Sequence, residues 1–167
     1  MLQKIDQYPA FTVLLLFLST AAIAGVVEEA AFRGYIQEPI EKRLGPKFAI
    51  LFTSSLFCLA HYRPAAIDPV PWIIFLPAYF AVGVALGTLA YLTNSIVIGV
   101  ICHALIDAAA FLRYWHWGVP PSLWKVGLDR SFWLDTIVLI VFGLQTFWAF
   151  ARLKRIRSRL LLASHNQ

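Results

Sequence analysis

The feature that most constrains the fold of this chain is a series of long apolar runs with few charged side chains. A helix that spans a membrane needs about 20 apolar residues, because the hydrocarbon core is about 30 Å thick. Five segments are candidates for such spans: residues 10–27, 48–60, 70–92, 95–112 and 132–151. The sequence therefore predicts an all-α fold, a polytopic membrane helix bundle with about five transmembrane helices.

The overall composition supports a membrane protein. Of the 167 residues, 60% are hydrophobic and 14% are charged, whereas a soluble domain carries about 25% charged residues. This length allows one domain, so we predict a single membrane-embedded domain over residues 1–167. Cys58 and Cys102 both lie in apolar runs, which argues against a disulfide framework.

The connections between the apolar runs carry turn and loop signals. Residues 35–47 are amphipathic, and the Gly45-Pro46 pair inside them predicts a helix end followed by a new helix start. Ser95 follows the third apolar run closely and is a candidate N-cap for the next helix. Two further stretches are predicted to be loops: residues 63–71 and 114–130.

The cations are concentrated at the C-terminal end. Five follow directly on the last apolar run: Arg152, Lys154, Arg155, Arg157 and Arg159. Because positive side chains accumulate on the cytoplasmic side of membrane proteins, we interpret residues 152–167 as a basic cytoplasmic tail. With that tail inside, five spans place eight cations inside and five outside. We expect a multi-pass protein of the cell (inner) membrane with a cytoplasmic C-terminus and no nucleic-acid partner.

The N-terminus allows an alternative interpretation. Lys4, the first apolar run and the Ala22-Ile23-Ala24 pattern resemble a cleavable signal peptide, although Asp6 leaves the first segment without a clear positive charge. We expect this run to be retained as a helix, and the residues discussed next lie downstream in either case.

Ionisable side chains lie inside or next to the apolar runs. They form three clusters: Glu28, Glu29 and Arg33; His61 with Phe57; and His103 with Asp107. Each charged group costs about 2.5–3.5 kcal/mol at the centre of a membrane helix, so such groups are rare and usually functional. One cluster alone is commonly structural, whereas three clusters in three helices favour a functional site.

Helical spacing assigns different directions to the two adjacent glutamates. Glu29 and Arg33 are four residues apart and share a helix face, which predicts a structural ion pair. Glu28 lies about 100° around the helix from Glu29. It is therefore left free to act as a general base.

The chain positions of the first two clusters predict that they meet. Glu28 lies 17 residues before Gly45, and His61 lies 16 residues after it. If two helices fold back at Gly45, both side chains lie about 24 Å from the turn. We therefore expect Glu28 and His61 to face each other at one level. Because isolated polar groups in lipid are costly, we also expect His103 to line the same cavity.

The three clusters form an ordered set of motifs: Glu28-Glu29-x-x-Phe32-Arg33-Gly34, Phe57-x-x-x-His61 and His103-x-x-x-Asp107. This set resembles the signature of the CAAX prenyl protease and bacteriocin-processing family, which includes the Ras-converting enzyme and the bacterial Abi proteins. The resemblance covers a core at about residues 27–107. It implies a membrane-embedded peptide hydrolase of the glutamic type.

The resemblance also implies roles for the site residues. Glu28 would polarise a water with the help of His61, while His103 and Asp107 would stabilise the oxyanion. The third motif of the family ends in Asn or a similar polar residue, and an ionised aspartate is a poor donor. Asp107 is therefore either protonated or orients His103, and we expect the second because the i,i+4 spacing fits.

Further expectations concern the brace and the partners. Glu29 and Arg33 would brace the helix that carries the base, and no cofactor is implied. The partners would be the lipid bilayer and a protein or peptide substrate that is cleaved near its C-terminus, either a lipid-modified protein or a sorting tail. Fuller family members have more spans, so a second copy of the chain or a partner protein is a candidate for completing the cavity wall.

Three alternatives stay open. Glu28, His61 and His103 could ligate zinc, although the sequence lacks the H-E-x-x-H motif. Cys58 could act as a nucleophile beside His61, although buried cysteines are usually small apolar fillers. The protein could also be a non-catalytic membrane immunity or binding protein.

Overall fold

The computed structural model describes residues 7–61, 69–117 and 130–165. All regular structure in these ranges is helical, which confirms the all-α helix bundle. The elements are α1 (Ala10–Glu29), a π-helical segment (Ala30–Gln37), α2 (Glu38–Leu44), α3 (Pro46–Ala60), α4 (Pro69–Thr93), α5 (Val97–Trp117) and α6 (Arg130–His165). The chain divides into two compact units, Met1–Val119 and Pro120–Gln167. The expectation of a single membrane-embedded domain stays a prediction.

The first apolar run and the charged residues after it form one helix. Ala10–Leu44 is a continuous helical run of 35 residues, which agrees with the helix up to Gly45 that the spacing argument about that residue assumed. Gly34 lies inside it without ending it, and Pro39, which has no backbone N–H to donate, lies just after the change from the π-helical segment to α2. The charged residues after Val27 therefore lie on the same helix as the first apolar run.

The hairpin between α2 and α3 forms where Gly45-Pro46 predicted it. Gly45 has φ +84° and ends α2, because this left-handed conformation is open to glycine. Pro46 is the first residue of α3, a position that suits its fixed φ. α3 then packs back against α2 and the π-helical segment, and α4 packs against α3.

Every fourth residue of the first helical run is buried, which produces one continuous stripe. The stripe consists of Val13, Phe17, Ala21, Gly25, Glu29, Arg33 and Gln37. Its first part packs against α5, where the Phe17 ring lies 5.3 Å from the Phe111 ring and 6.0 Å from the Trp115 ring, centre to centre. From Glu29 onward the stripe is polar. The packing that joins α1 to α5 therefore leads directly into a buried polar region.

The connection between α4 and α5 matches the predicted cap. Asn94 adopts a positive φ of 52°, and the Ser95 hydroxyl accepts a hydrogen bond of 3.2 Å from the backbone N–H of Val97. This contact satisfies one of the free donors at the start of α5.

Two predicted loops are shorter than expected. α4 begins at Pro69, inside the predicted loop 63–71, because a proline is tolerated in the first turn of a helix. α5 continues to Trp117, into the predicted loop 114–130. The remaining parts of both loops, 63–68 and 118–129, lie outside the described residues.

Two helices of the described chain are long and apolar enough to cross a membrane, Ala10–Leu44 and Leu76–Thr93, and Pro46–Ala60 and Val97–Leu112 are shorter apolar helices. Large apolar side chains such as Phe11 and Ile23 are exposed, which suits contact with lipid. The number of five spans stays a prediction.

The second unit contains α6, a helix of 36 residues. It includes the predicted span 132–151 and continues through the cationic segment to His165. The Arg152 guanidinium lies 4.8 Å from the centre of the Trp148 ring, a cation–π contact.

Candidate active site

A buried carboxylate lies at the centre of the polar region. Glu29 is fully buried, and its Oε1 accepts hydrogen bonds of 2.8 Å from Arg33 Nη1 and from His103 Nδ1. The contact with Arg33 is the predicted i,i+4 ion pair. The contact with His103 joins α1 to α5 and was not predicted from the sequence. Glu29 therefore holds an imidazole as well as a guanidinium.

The neighbouring carboxylate faces both histidines. Glu28 Oε2 lies 3.7 Å from His61 Nε2 and 3.7 Å from His103 Nε2. The Glu28 side chain is 30% exposed, yet this oxygen is buried and has no hydrogen-bond partner among the described residues. The structure therefore brings Glu28 and His61 together, as the spacing about Gly45 predicted, and places His103 beside them.

The backbone and Glu29 set the tautomers of the two rings. His61 Nδ1 lies 2.7 Å from the carbonyl oxygen of Phe57, and His103 Nδ1 lies 2.8 Å from the Glu29 carboxylate. Both partners can only accept, so we assign the proton to Nδ1 in each ring. In the neutral rings both Nε2 atoms then present lone pairs towards Glu28.

Asp107 lies near His103, as the i,i+4 spacing predicted, and its role in orienting that ring stays a prediction. Its Oδ2 lies 3.8 Å from His103 Nε2, which is beyond hydrogen-bond distance. The i,i+4 spacing on α5 brings Asp107 to the Nε2 side of the ring, whereas Glu29 of α1 holds Nδ1. Glu29 therefore orients His103, and Asp107 stands at the open side of the site with its side chain 29% exposed.

Comparison with known families agrees with this arrangement. The family model described as type II CAAX prenyl endopeptidase Rce1-like matches residues 10–109, which is more than half of the chain. This chain belongs to the Rce1-like family. Neither the curated proteins nor the solved structures provide a significant match. The match includes all three motifs and confirms the resemblance that they indicated.

Membership of the Rce1-like family has direct consequences. It makes the chain a member of a membrane-embedded family of CAAX-type peptidases, and it implies a peptide substrate. All six predicted site residues lie inside the matched range: Glu28, Glu29, Arg33, His61, His103 and Asp107.

Phe57 forms the wall behind the polar groups of this Rce1-like site. It is 2% exposed, and its ring contacts the His61 ring at 4.4 Å and the His103 ring at 5.8 Å, centre to centre. The Arg33 guanidinium lies 4.8 Å from the same ring. His61 is also stacked on Tyr79 at 4.5 Å. The aromatic residue of the second motif therefore fixes its own histidine and the ion pair.

Several buried polar residues were not predicted from the sequence. Gln37, Thr53 and Ser54 are almost completely buried, and the carbonyl oxygen of Gly83 accepts a hydrogen bond of 3.1 Å from Arg33 Nη2. The spacing Glu29, Arg33, Gln37 is a signal that would have identified the glutamine. No sequence pattern indicated that α4 supplies a hydrogen-bond acceptor, because every residue has a backbone carbonyl.

The alternatives that were left open involve some of the same residues. Among the described residues, no group of three or more His, Cys, Asp or Glu side chains is arranged to hold a metal ion. Cys58 is buried, and its Sγ contacts the carbonyl oxygen of Leu76 at 3.4 Å. An activity assay with a chelator and with Cys58→Ala tests zinc dependence and a cysteine mechanism.

The buried ion pair leads to a prediction about stability. Glu29→Gln leaves Arg33, whose side chain is 1% exposed, without its countercharge, so the free energy of unfolding should fall by about 3–5 kcal/mol. Arg33→Ala should act similarly, and the double variant should lose less than the sum of the two. The measurement is thermal or denaturant unfolding of the purified protein in detergent.

Glu38→Gln is the matched control. Glu38 also pairs with a cation four residues later, Lys42, but this pair is exposed, so the change should stay within about 0.5 kcal/mol. Equal losses in Glu29→Gln and Glu38→Gln would contradict the assignment of Glu29 as the brace.

Proposed function

We propose that this chain is a glutamic-type intramembrane endopeptidase in which Glu28 is the general base. The observation that carries the proposal is the position of Glu28 Oε2, 3.7 Å from each histidine Nε2. A water that is hydrogen-bonded at about 2.8 Å to both atoms with a tetrahedral angle holds them about 4.6 Å apart, so a separation of the side chains by about 1 Å would admit one shared water.

The proposed reaction is hydrolysis by an activated water. Glu28 accepts a proton from the water while the water oxygen attacks the carbonyl carbon of the scissile peptide bond. The resulting tetrahedral intermediate collapses, the C–N bond breaks, and Glu28 returns the proton to the leaving amine. His61 orients the water through Nε2, because its Nδ1 is held by the Phe57 carbonyl. No covalent enzyme intermediate is required.

The oxyanion would form beside His103. A ring protonated at both nitrogens can donate from Nε2 to the oxyanion, while the Glu29 carboxylate at Nδ1 stabilises the positive charge on the ring. Asp107 lies on the same side as Nε2. In its protonated form it would be a second donor, and in its ionised form it would support the charge on His103.

The proposed substrate is a membrane-proximal peptide segment near the C-terminus of a small protein, either lipid-modified or a sorting tail. Glu28, His61 and Asp107 are each between a quarter and a third exposed, so the site is open to an extended segment. A second copy of the chain or a partner protein is proposed to cover this open side.

Replacement of the proposed base gives the functional test. Glu28→Gln should reduce kcat by at least about 10²-fold, because the amide cannot accept the proton, while unfolding stays close to wild type. The measurement is cleavage of a prenylated C-terminal peptide and of its unprenylated form by protein reconstituted in vesicles. Glu38→Gln is the control for the loss of one carboxylate.

The outcomes distinguish the remaining mechanisms. Loss of activity in a chelator with recovery on added Zn²⁺ would replace the glutamic mechanism by a zinc enzyme. Loss in Cys58→Ala with full activity in Glu28→Gln would indicate a cysteine nucleophile. If wild type and Glu28→Gln are both inactive on a broad peptide panel, the non-catalytic binding function takes the place of this proposal.

We further propose that the protein is multi-pass and that its C-terminus lies in the cytoplasm. The support is the cluster of exposed cations on α6, namely Arg152, Lys154, Arg155 and Arg159. A C-terminal reporter should be active only on the cytoplasmic side. Activity only on the opposite side would contradict this topology, and reversal in a variant with these four residues changed to Gln would show that the cations set it.

A further inference from the structure

We infer that Gln37 is a positioning residue of the catalytic site, acting through Arg33 and Glu29 on His103. This inference rests on the proposed hydrolytic function, and it assigns a role to a residue outside the three motifs. Gln37 lies eight residues after Glu29 on the same buried stripe and is 1% exposed. A buried amide needs partners in this environment, because an unsatisfied polar group costs free energy.

Gln37 has a partner at each end of its amide. Its Nε2 donates a hydrogen bond of 2.9 Å to the carbonyl oxygen of Gly87 on α4. Its Oε1 lies 3.3 Å from the Thr53 hydroxyl on α3, a weaker contact because the single hydroxyl hydrogen also has the Ala49 carbonyl oxygen 2.8 Å away. One side chain therefore ties the end of the π-helical segment to two other helices.

The same attachment is repeated one turn earlier. Arg33 Nη2 donates to the carbonyl oxygen of Gly83 on α4, and Arg33 Nη1 donates to Glu29. Gly83 and Gly87 are four residues apart, as are Arg33 and Gln37. The two contacts fix the register of the π-helical segment against α4, and the next contact in the series, from Glu29 to His103, fixes the imidazole.

The π-helical conformation explains why these attachments are needed. π-helical turns are rare and occur mainly at functional sites. Side-chain contacts must therefore hold Ala30–Gln37 in this register. If they are lost, the segment can relax, and Arg33 and Glu29 then change their direction relative to His103. A displacement of about 1 Å at a reacting group can reduce the rate by about 10²-fold.

Part of the surroundings of Gln37 is open, because Gln37 and Arg33 line a polar cavity of about 160 Å³. Against Gly87 the fit is tight, since a Cβ atom added there would lie 2.7 Å from Gln37 Oε1. Glycine at 87 is therefore required for the observed position of the amide.

The test compares two variants that disturb the amide in different ways. Gln37→Met keeps the size of the side chain and removes its hydrogen bonds, whereas Gly87→Ala displaces the amide without changing it. Both should lower kcat by about tenfold or more with KM within about twofold, and both should change the pH dependence of kcat, because the Glu29–His103 contact is altered. The assay is the vesicle cleavage assay, with rates expressed per folded molecule.

Ser54→Ala is the matched control. Ser54 is fully buried beside Thr53, but within the described part of the chain its hydroxyl donates to the Ile50 carbonyl in its own helix and makes no contact with Gln37. This variant should keep the wild-type kcat and pH profile. If Gln37→Met does not fold, Thr53→Val removes only one of the two contacts and should show a smaller change of the same kind.

The outcomes separate this inference from the proposed function. If Glu28→Gln is inactive while Gln37→Met and Gly87→Ala keep the wild-type kcat and pH profile per folded molecule, the glutamine is only structural and this inference is wrong. If Glu28→Gln cleaves at the wild-type rate, the proposed function is wrong and the inference is wrong with it.

Discussion

The structure around the site depends on the charge of Glu29, which is completely buried. A carboxylate in such a place costs several kcal/mol unless it is paired and hydrogen-bonded. Arg33 and His103 supply two contacts of 2.8 Å to one of its oxygens. Arg33 is in turn held by the Gly83 carbonyl and lies against the ring of Phe57. One buried charge therefore requires the alignment of four helical segments: α1 with its π-helical continuation, α3, α4 and α5.

Two adjacent residues of the same chemistry have different surroundings, which is the basis of the different roles that we propose for them. Glu29 has strong partners and no exposure, which suits a fixed orienting group. Glu28 is partly exposed, and its Oε2 faces the two Nε2 atoms, which suits the proposed general base. A pair of carboxylates whose environments differ in this way is a common basis for dividing catalytic roles.

The sequence predicted the parts of this arrangement that depend on helical spacing. The Glu29–Arg33 pair follows from an i,i+4 rule, and the approach of Glu28 to His61 follows from equal chain distances about Gly45. The contact between Glu29 and His103 could not be predicted, because it depends on how α1 packs against α5. The same reason applies to Asp107: spacing indicates that it is near His103 but not which ring nitrogen it faces. The helix from Glu28 to Leu44 agrees with the helical rise that was assumed for the chain distances about Gly45.

The most direct test of the account is whether Glu28 and His61 act on one water as a unit. The measurement is kcat/KM for Glu28→Gln, His61→Ala and the double variant, with unfolding monitored in each. Residues that act as a unit have strongly non-additive effects. If Glu28 and His61 act on one water, each single variant should lose most of the activity. The double variant should then be no slower than the slower single variant, within about threefold. Losses that multiply in the double variant would show that the two residues act independently, and they would contradict the shared water.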